Sequence, residues 1–191
     1  MALGRHHCQS KWHPYESSLE VPLIVWNPKR IKAGMLDTDH MTSGVDIMPT
    51  VCSYAGIEPP PLMRGMNLRR VVEQSDKDSP AWRDQIYAEW QITGRLIRTK
   101  KYKYIMKYVY SGDFEQPFVR KDNSAWTQFV PGHGEEYAEY PEALLVDMES
   151  DPWETKNLID DPNYAEIIRQ HRELLRAWEV KPVPGQHFDR N

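Results

Sequence analysis

Leu3-Gly4-Arg5-His6, then Lys11, then Tyr15-Glu16, then Val21-Pro22-Leu23-Ile24-Val25-Trp26 follow one another in the first twenty-six positions. A polar, histidine-rich loop carrying one lysine therefore runs directly into a short apolar run. A run of this length without alternation reads as a strand covered on both faces, because alternation is lost only when neither face meets water. Pro22 stands near its start, where a missing N–H need not interrupt a ladder. The expectation is a buried strand over Val21–Trp26, with the His- and Lys-bearing loop at the sheet end, where α/β proteins place their chemistry. Its position is odd. A central strand of an α/β domain at residue 21 has little chain before it to cover its faces.

Further stretches follow in order. They are Gly44-Val45-Asp46-Ile47-Met48-Pro49-Thr50, Ala55-Gly56-Ile57 with prolines after it, Arg64-Gly65-Met66-Asn67-Leu68, and Arg98-Thr99-Lys100-Lys101-Tyr102-Lys103-Tyr104. The last is Asp147-Met148-Glu149-Ser150-Asp151-Pro152-Trp153-Glu154-Thr155-Lys156-Asn157-Leu158. Each is weak alone. Together, in this order and spacing and with the opening pattern, the chain from about residue 3 to 178 resembles the C-terminal part of a type I sulfatase of the alkaline phosphatase superfamily. The similarity is to the bacterial heparan or N-sulfoglucosamine type. It implies a fold in two parts. One is the end of an alkaline-phosphatase-like α/β domain, here 1–82. The other is an α+β C-terminal subdomain, here 83–191, with a four-stranded antiparallel sheet and one long helix.

The departures from that pattern carry equal weight. Sulfatases make their nucleophile, formylglycine, from the Cys or Ser of an early Cys/Ser-x-Pro-x-Arg motif. Here Cys8 is followed by Gln9-Ser10-Lys11 and Cys52 by Ser53-Tyr54-Ala55, and no such motif occurs. The acidic and amide ligands of the family's calcium, Ca2+, come from the N-terminal half. The expectation is a chain that begins inside the active site, supplies neither formylglycine nor Ca2+ ligands, and is inactive without the missing N-terminal half of the catalytic domain. Two further readings stay open. One is a phosphoester or phosphonate hydrolase of the same superfamily, and the other is a non-catalytic binding module.

Composition bounds the rest. A chain of 191 residues suits one domain or slightly more. A net charge of −4 gives no electrostatic case for a nucleic-acid partner. No apolar run approaches the ~20 residues that span a bilayer, so no membrane partner is expected. The opening residues are not a signal peptide. Two distant cysteines make neither a disulfide framework nor a zinc site, which leaves the compartment open.

From Asn27 to Met41 the chain reads as a connecting loop with turn signals at Asn27-Pro28 and Ala33-Gly34. A helix is expected over Ile47–Tyr54, with Asp46 as its N-cap rather than a metal ligand, Pro49 in its first turn and Gly56 as its C-cap. Pro59-Pro60-Pro61 forms a stiff connector. Polar residues from Gln74 to Pro80 mark the candidate boundary. Alternation over Ile86–Trp90, Arg95–Thr99 and Tyr102–Ile105, with a fourth strand over Leu144–Met148, predicts an antiparallel sheet. Tyr108–Pro141 is a long loop of the kind that is functional or disordered. Asp160 or Asp161 caps a helix from about Pro162 to Val180, whose Ile167, Ile168, Leu174, Leu175 and Trp178 share one face.

The site expectations rest on the resemblance. Lys11 matches the family lysine that contacts the sulfate, whose oxygens gather charge in the transition state and favour a compact cation beside them. His6 matches a histidine beside the site, in proton transfer or substrate contact. By residue type alone Lys11 reads as a surface lysine, and only the motif match turns it into a sulfate contact. His7 and His13 are read as loop residues, since calcium prefers oxygen ligands. By residue chemistry rather than by the resemblance, His133, whose flanking Gly132 and Gly134 free the backbone, and Trp126, whose ring can stack on a sugar, are the candidates in the long loop for contacting a carbohydrate sulfate, a solvent loop being the plainer reading. Tyr102-Lys103-Tyr104 and Asp151-Pro152-Trp153-Glu154 are read as structural.

Overall fold

The computed structural model describes residues 2–3, 9–10, 14–73, 81–90, 94–107 and 143–180. The elements are β1 (Ala2–Leu3), β2 (Gln9–Ser10), α1 (Glu16–Leu19), α2 (Ile47–Ala55), α3 (Arg69–Val72), β3 (Gln85–Trp90), β4 (Gly94–Thr99), β5 (Tyr102–Lys107), β6 (Ala143–Asp147) and α4 (Ala165–Val180). The residues up to Val21 group with Tyr87–Trp178 as one compact unit, and Pro22–Ile86 form another. This grouping places residues 14–21 with the sheet.

In the first unit, β3, β4, β5 and β6 form a four-stranded sheet in that order. The β4–β5 and β5–β6 pairs are antiparallel. The register aligns Leu96 with Ile105 and Ile105 with Leu144, while Ile97 aligns with Tyr104 and Tyr104 with Leu145. Because side chains alternate along a strand, the two rows face opposite ways. Ile97, Tyr104 and Leu145 are buried with Leu158 and Leu175, joined by Ile167, Ile168 and Leu174 of α4. Trp178 of α4 stacks on Tyr87 of β3 at 5.1 Å. Leu96, Ile105, Leu144 and Val146 are buried with Met148 and Tyr15, and Leu19 packs there too. The sheet is therefore covered on both faces, by α4 on one and by the segment around α1 on the other. Only the first of these covers was legible as an amphipathic stripe.

Asp161 accepts a hydrogen bond from the Asn163 N–H at 3.0 Å, opening a 3-10 turn over Pro162–Tyr164 that runs into α4. The Asp151–Leu158 segment lies along β6. Asn157 accepts from the Leu145 N–H at 3.1 Å and donates to the Ala143 carbonyl at 3.2 Å, and the Leu158 N–H donates to the Leu145 carbonyl at 2.8 Å. The exposed rung of the edge strand is thereby used, which removes a template for wrong pairing.

In the second unit α2 ends at Gly56, whose φ of 69° is the left-handed C-cap conformation. Asp46 occupies the expected N-cap position of α2, but its side chain makes no capping hydrogen bond to that helix. Its carboxylate instead reaches back to the Ser43 N–H at 2.8 Å and across to the Met66 N–H at 2.7 Å. The expected cap is thus a buried hub, since the helix is entered through a 3-10 turn over Gly44–Asp46 that turns the side chain inward. Thr50 continues the join, donating to the Asp46 carbonyl at 2.6 Å and accepting from the Leu68 N–H at 2.8 Å. Gly65 is needed here, because a Cβ at that position would overlap the Val45 carbonyl oxygen.

The opening expectation fails at Val21–Trp26. This stretch forms neither strand nor helix, and Ile24 and Trp26 are 87% and 82% exposed. Apolar composition reports which residues favour burial. A strand also needs a neighbour to complete its ladder, and none pairs with this stretch among the described residues.

Candidate functional site

Lys11, His6, Trp126 and His133 lie outside the described residues, as do His7, His13 and the whole Tyr108–Pro141 loop. What is described is where the Lys11 loop ends. Pro14 and Tyr15 are buried, and α1 starts at Glu16, five residues after Lys11.

Glu16 is held in both main chain and side chain. Its N–H donates to Glu154 Oε2 at 2.6 Å. Its carboxylate receives Lys103 Nζ at 3.0 Å, and Arg98 Nε lies 3.5 Å away. Lys103 in turn donates to Glu154 Oε1 at 2.5 Å, with its side chain 0% exposed. Period two accounts for the placement: Lys103 is two residues from Ile105 and so faces α1 rather than α4. Two carboxylates, one ammonium and one guanidinium leave the cluster without net charge. Glu154 adopts a φ of 58°, the one non-glycine residue with positive φ among the described residues. That conformation is uncommon for a residue with a Cβ and persists where surroundings impose it. Asp151 imposes it here: its carbonyl accepts from the Glu154 N–H at 3.0 Å, and its carboxylate accepts from the Lys156 N–H at 2.8 Å and the Thr155 hydroxyl at 3.1 Å.

Reading Tyr102-Lys103-Tyr104 and Asp151–Glu154 as structural missed that they meet each other and Glu16. Arg98 stands in register with Lys103 and shares its face, so neither basic residue departs from an ordinary strand pattern in the sequence. Beside this cluster a cleft of about 330 Å³ is lined by Glu16, Ser17, Glu20, Pro152 and Trp153. No cationic side chain among the described residues lines this cleft to draw a sulfate or phosphate anion into it. Asp46, read from the sequence as a cap rather than a metal ligand, is 0% exposed and paired with both terminal guanidinium nitrogens of Arg83, Nη1 standing at 2.8 Å from Oδ2. No group of three or more His, Cys, Asp or Glu among the described residues could hold a metal.

The family described as "N-sulphoglucosamine sulphohydrolase, C-terminal" matches residues 4–125. The chain belongs to this family. It corresponds to the C-terminal part of a type I sulfatase of the alkaline phosphatase superfamily. A Δ4,5-hexuronate-2-O-sulfatase of Bacteroides thetaiotaomicron is 30% identical over 84% of this chain and 28% of its own length. An arylsulfatase of Clostridium perfringens is 27% identical over 96% of this chain and 32% of its own. The chain thus spans about a third or less of these relatives. Among solved structures, the phosphonate monoester hydrolase SpPMH from Silicibacter pomeroyi shares the fold with a TM-score of 0.52 at 18% identity, covering 81% of this chain and 28% of that one.

Proposed function

We propose that this chain forms the C-terminal part of an enzyme that hydrolyses sulfate esters or N-sulfates of a carbohydrate. The family match supports the reading, since residues 4–125 include the Lys11 loop and Lys103, one of the residues that meet Glu16 at its end. In this reading Lys11 places its ammonium against the sulfate oxygens and His6 stands beside it, in proton transfer or substrate contact. Trp126 and His133 contribute to the rim that meets the sugar. In such enzymes formylglycine, made from a Cys or Ser side chain, would supply the nucleophile, and bound Ca2+ the charge that orients the sulfate. The described residues offer no cluster suited to the metal, and the sequence has no Cys/Ser-x-Pro-x-Arg motif, so neither group is assigned to residues of this chain.

The test has two arms. The purified chain is expected to leave an aryl sulfate intact; turnover by it that is abolished by Lys11→Ala would overturn the division of labour. In an enzyme whose catalytic domain this chain completes, Lys11→Ala should lower turnover of every sulfate ester by ~10²–10³, the usual loss for one charge-stabilising donor. Unchanged turnover would remove Lys11 from the site. Running phosphonate and phosphate esters beside sulfate esters separates the sulfatase reading from a phosphoester or phosphonate hydrolase of the superfamily.

A further inference from the structure

Resting on the function proposed above for the identity of the partner alone, we infer that the outward face of α2 and the open main chain of Leu23–Trp26 form a docking surface. Its occupant is the N-terminal part of a sulfatase catalytic domain.

α2 is turned inside out. At 3.6 residues per turn, Ile47, Met48, Val51 and Ala55 share one side of it, while Asp46, Pro49, Thr50 and Cys52 lie on the other. The second side is the buried one, although it carries a carboxylate and a hydroxyl. The apolar side faces out: Ile47, Met48 and Val51 are 50%, 54% and 54% exposed. A surface helix ordinarily does the reverse. A loosely held helix does not account for this. Asp46 binds the Met66 N–H and the Arg83 guanidinium, Thr50 binds the Leu68 N–H, and Gly65 lies close against the Val45 carbonyl. These ties on the polar side hold the apolar side outward.

Leu23–Trp26 belongs to the same unit as α2. Leu23, Ile24 and Trp26 are exposed, and no main-chain N–H or C=O of the stretch pairs with a described residue. Extended chain of this composition takes its hydrogen bonds from a strand beside it and its cover from a layer on each face. Two different apolar features of one unit are therefore left without a partner among the described residues.

The partner that fits has an apolar face for α2 and an open strand edge for Leu23–Trp26. It needs no charge, because the four outward side chains of α2 carry none and donate no hydrogen bond. A body of sufficient size accompanies this region in its relatives. The chain matches 28% and 32% of the two sulfatases described above, which leaves more than two thirds of each outside the match, and the family is the C-terminal one. A second copy of this chain is the competing occupant, and its signature is a dimer.

The test compares the full chain with two chimaeras. In one it replaces the matching segment of the Δ4,5-hexuronate-2-O-sulfatase, and in the other that of the arylsulfatase. In the chain alone, hydrogen peroxide should oxidise Met48 to its sulfoxide at the rate of an exposed methionine, and the amides of 23–26 should exchange fast. In at least one chimaera both rates should fall at least tenfold. Val51→Glu should leave the urea midpoint of the chain alone unchanged. In the chimaera it should return Met48 oxidation to within threefold of the rate in the chain alone.

Shielding of Met48 in the chain alone would overturn the proposal, and a dimer in sedimentation would then name a second copy as the cover. Soluble chimaeras in which Met48 or the 23–26 amides stay as open as in the chain alone would overturn it, as would two insoluble chimaeras. So would a Val51→Glu chimaera as shielded as its parent, or a chain that Val51→Glu destabilises, since residue 51 would then face inward. Turnover of a sulfate ester separates the two readings. A chimaera shielded at both features but without turnover defeats the function proposed above and leaves the docking surface. An active chimaera with Met48 open defeats the docking surface alone.

Discussion

Replacing Asp46 by Ala tests whether this carboxylate is a structural hub or a metal ligand. It is fully buried and receives two backbone N–H groups and a guanidinium. Removing one partner of a buried ion pair costs about 3–5 kcal/mol, because the other charge is left without compensation. Arg83 keeps 15% side-chain exposure, so water recovers part of its solvation and the lower end applies. The Ser43 and Met66 N–H groups lose their acceptor at the same time, at ~1 kcal/mol each where water can reach them. These losses share one site and do not simply add. A total of about 4 kcal/mol is expected, a large fraction of the ~5–15 kcal/mol that holds a typical domain. Asp46→Asn keeps the volume and one acceptor oxygen and should cost about half as much. Urea unfolding read by tryptophan fluorescence is the assay. Trp82 is a local reporter, since its Nε1 donates to the Met41 carbonyl at 2.8 Å and the Arg83 guanidinium sits 5.8 Å from its ring. The double variant Asp46→Ala/Arg83→Met should be less impaired than Asp46→Ala alone, because no charge is then stranded. A loss below about 1 kcal/mol would refute the hub, that being the size of an ordinary surface effect. So would destabilisation that appears only in the presence of calcium and vanishes with a chelator.

Three other outcomes are expected. Burial holds the His171 imidazole below its ordinary value, against the Ile167 carbonyl that its Nδ1 meets at 2.9 Å. The unfolded chain then binds more protons, so stability should be full above the usual histidine range and fall as pH drops below about 6.5, by no more than about 1.4 kcal/mol per pH unit for one proton. His171→Leu should flatten that slope in thermal melts at pH 5 to 8, and an unchanged slope would assign it to other groups. Gly65→Ala should destabilise by about 1–3 kcal/mol, since its Cβ would drive the 65–68 segment off Val45; an unaltered urea midpoint would contradict that close approach. If the Tyr108–Pro141 loop meets the sugar, Trp126→Ala or His133→Ala should impair a carbohydrate sulfate far more than a small aryl sulfate, because only remote binding energy is lost. Equal losses on both would take the loop out of substrate selection.

Local chemistry made much of the fold legible. The alternation in Arg95–Thr99 and Tyr102–Ile105 marks strands whose pairing needs only a short turn at Lys100-Lys101, and β4 and β5 form there. The apolar stripe of α4 and the glycine at its φ of 69° after α2 likewise depend on neighbours within a few positions. The sulfatase family was legible too, because the order and spacing of its motifs are properties of the sequence itself. The fates of Val21–Trp26 and Lys103 were not. An apolar run favours burial wherever cover exists, and whether a neighbouring strand completes its ladder is decided by tertiary contacts. Lys103 reads as an ordinary strand lysine until the chain brings Glu154 from 51 positions away and Glu16 from 87 positions away to the same ammonium. Such a cluster leaves no periodic trace, because each member satisfies its own local conformation independently and only the fold closes the distance between them. The same holds for Asp46: its position before a helix suggests a cap, and the arrival of Met66 and Arg83 turns it into a hub.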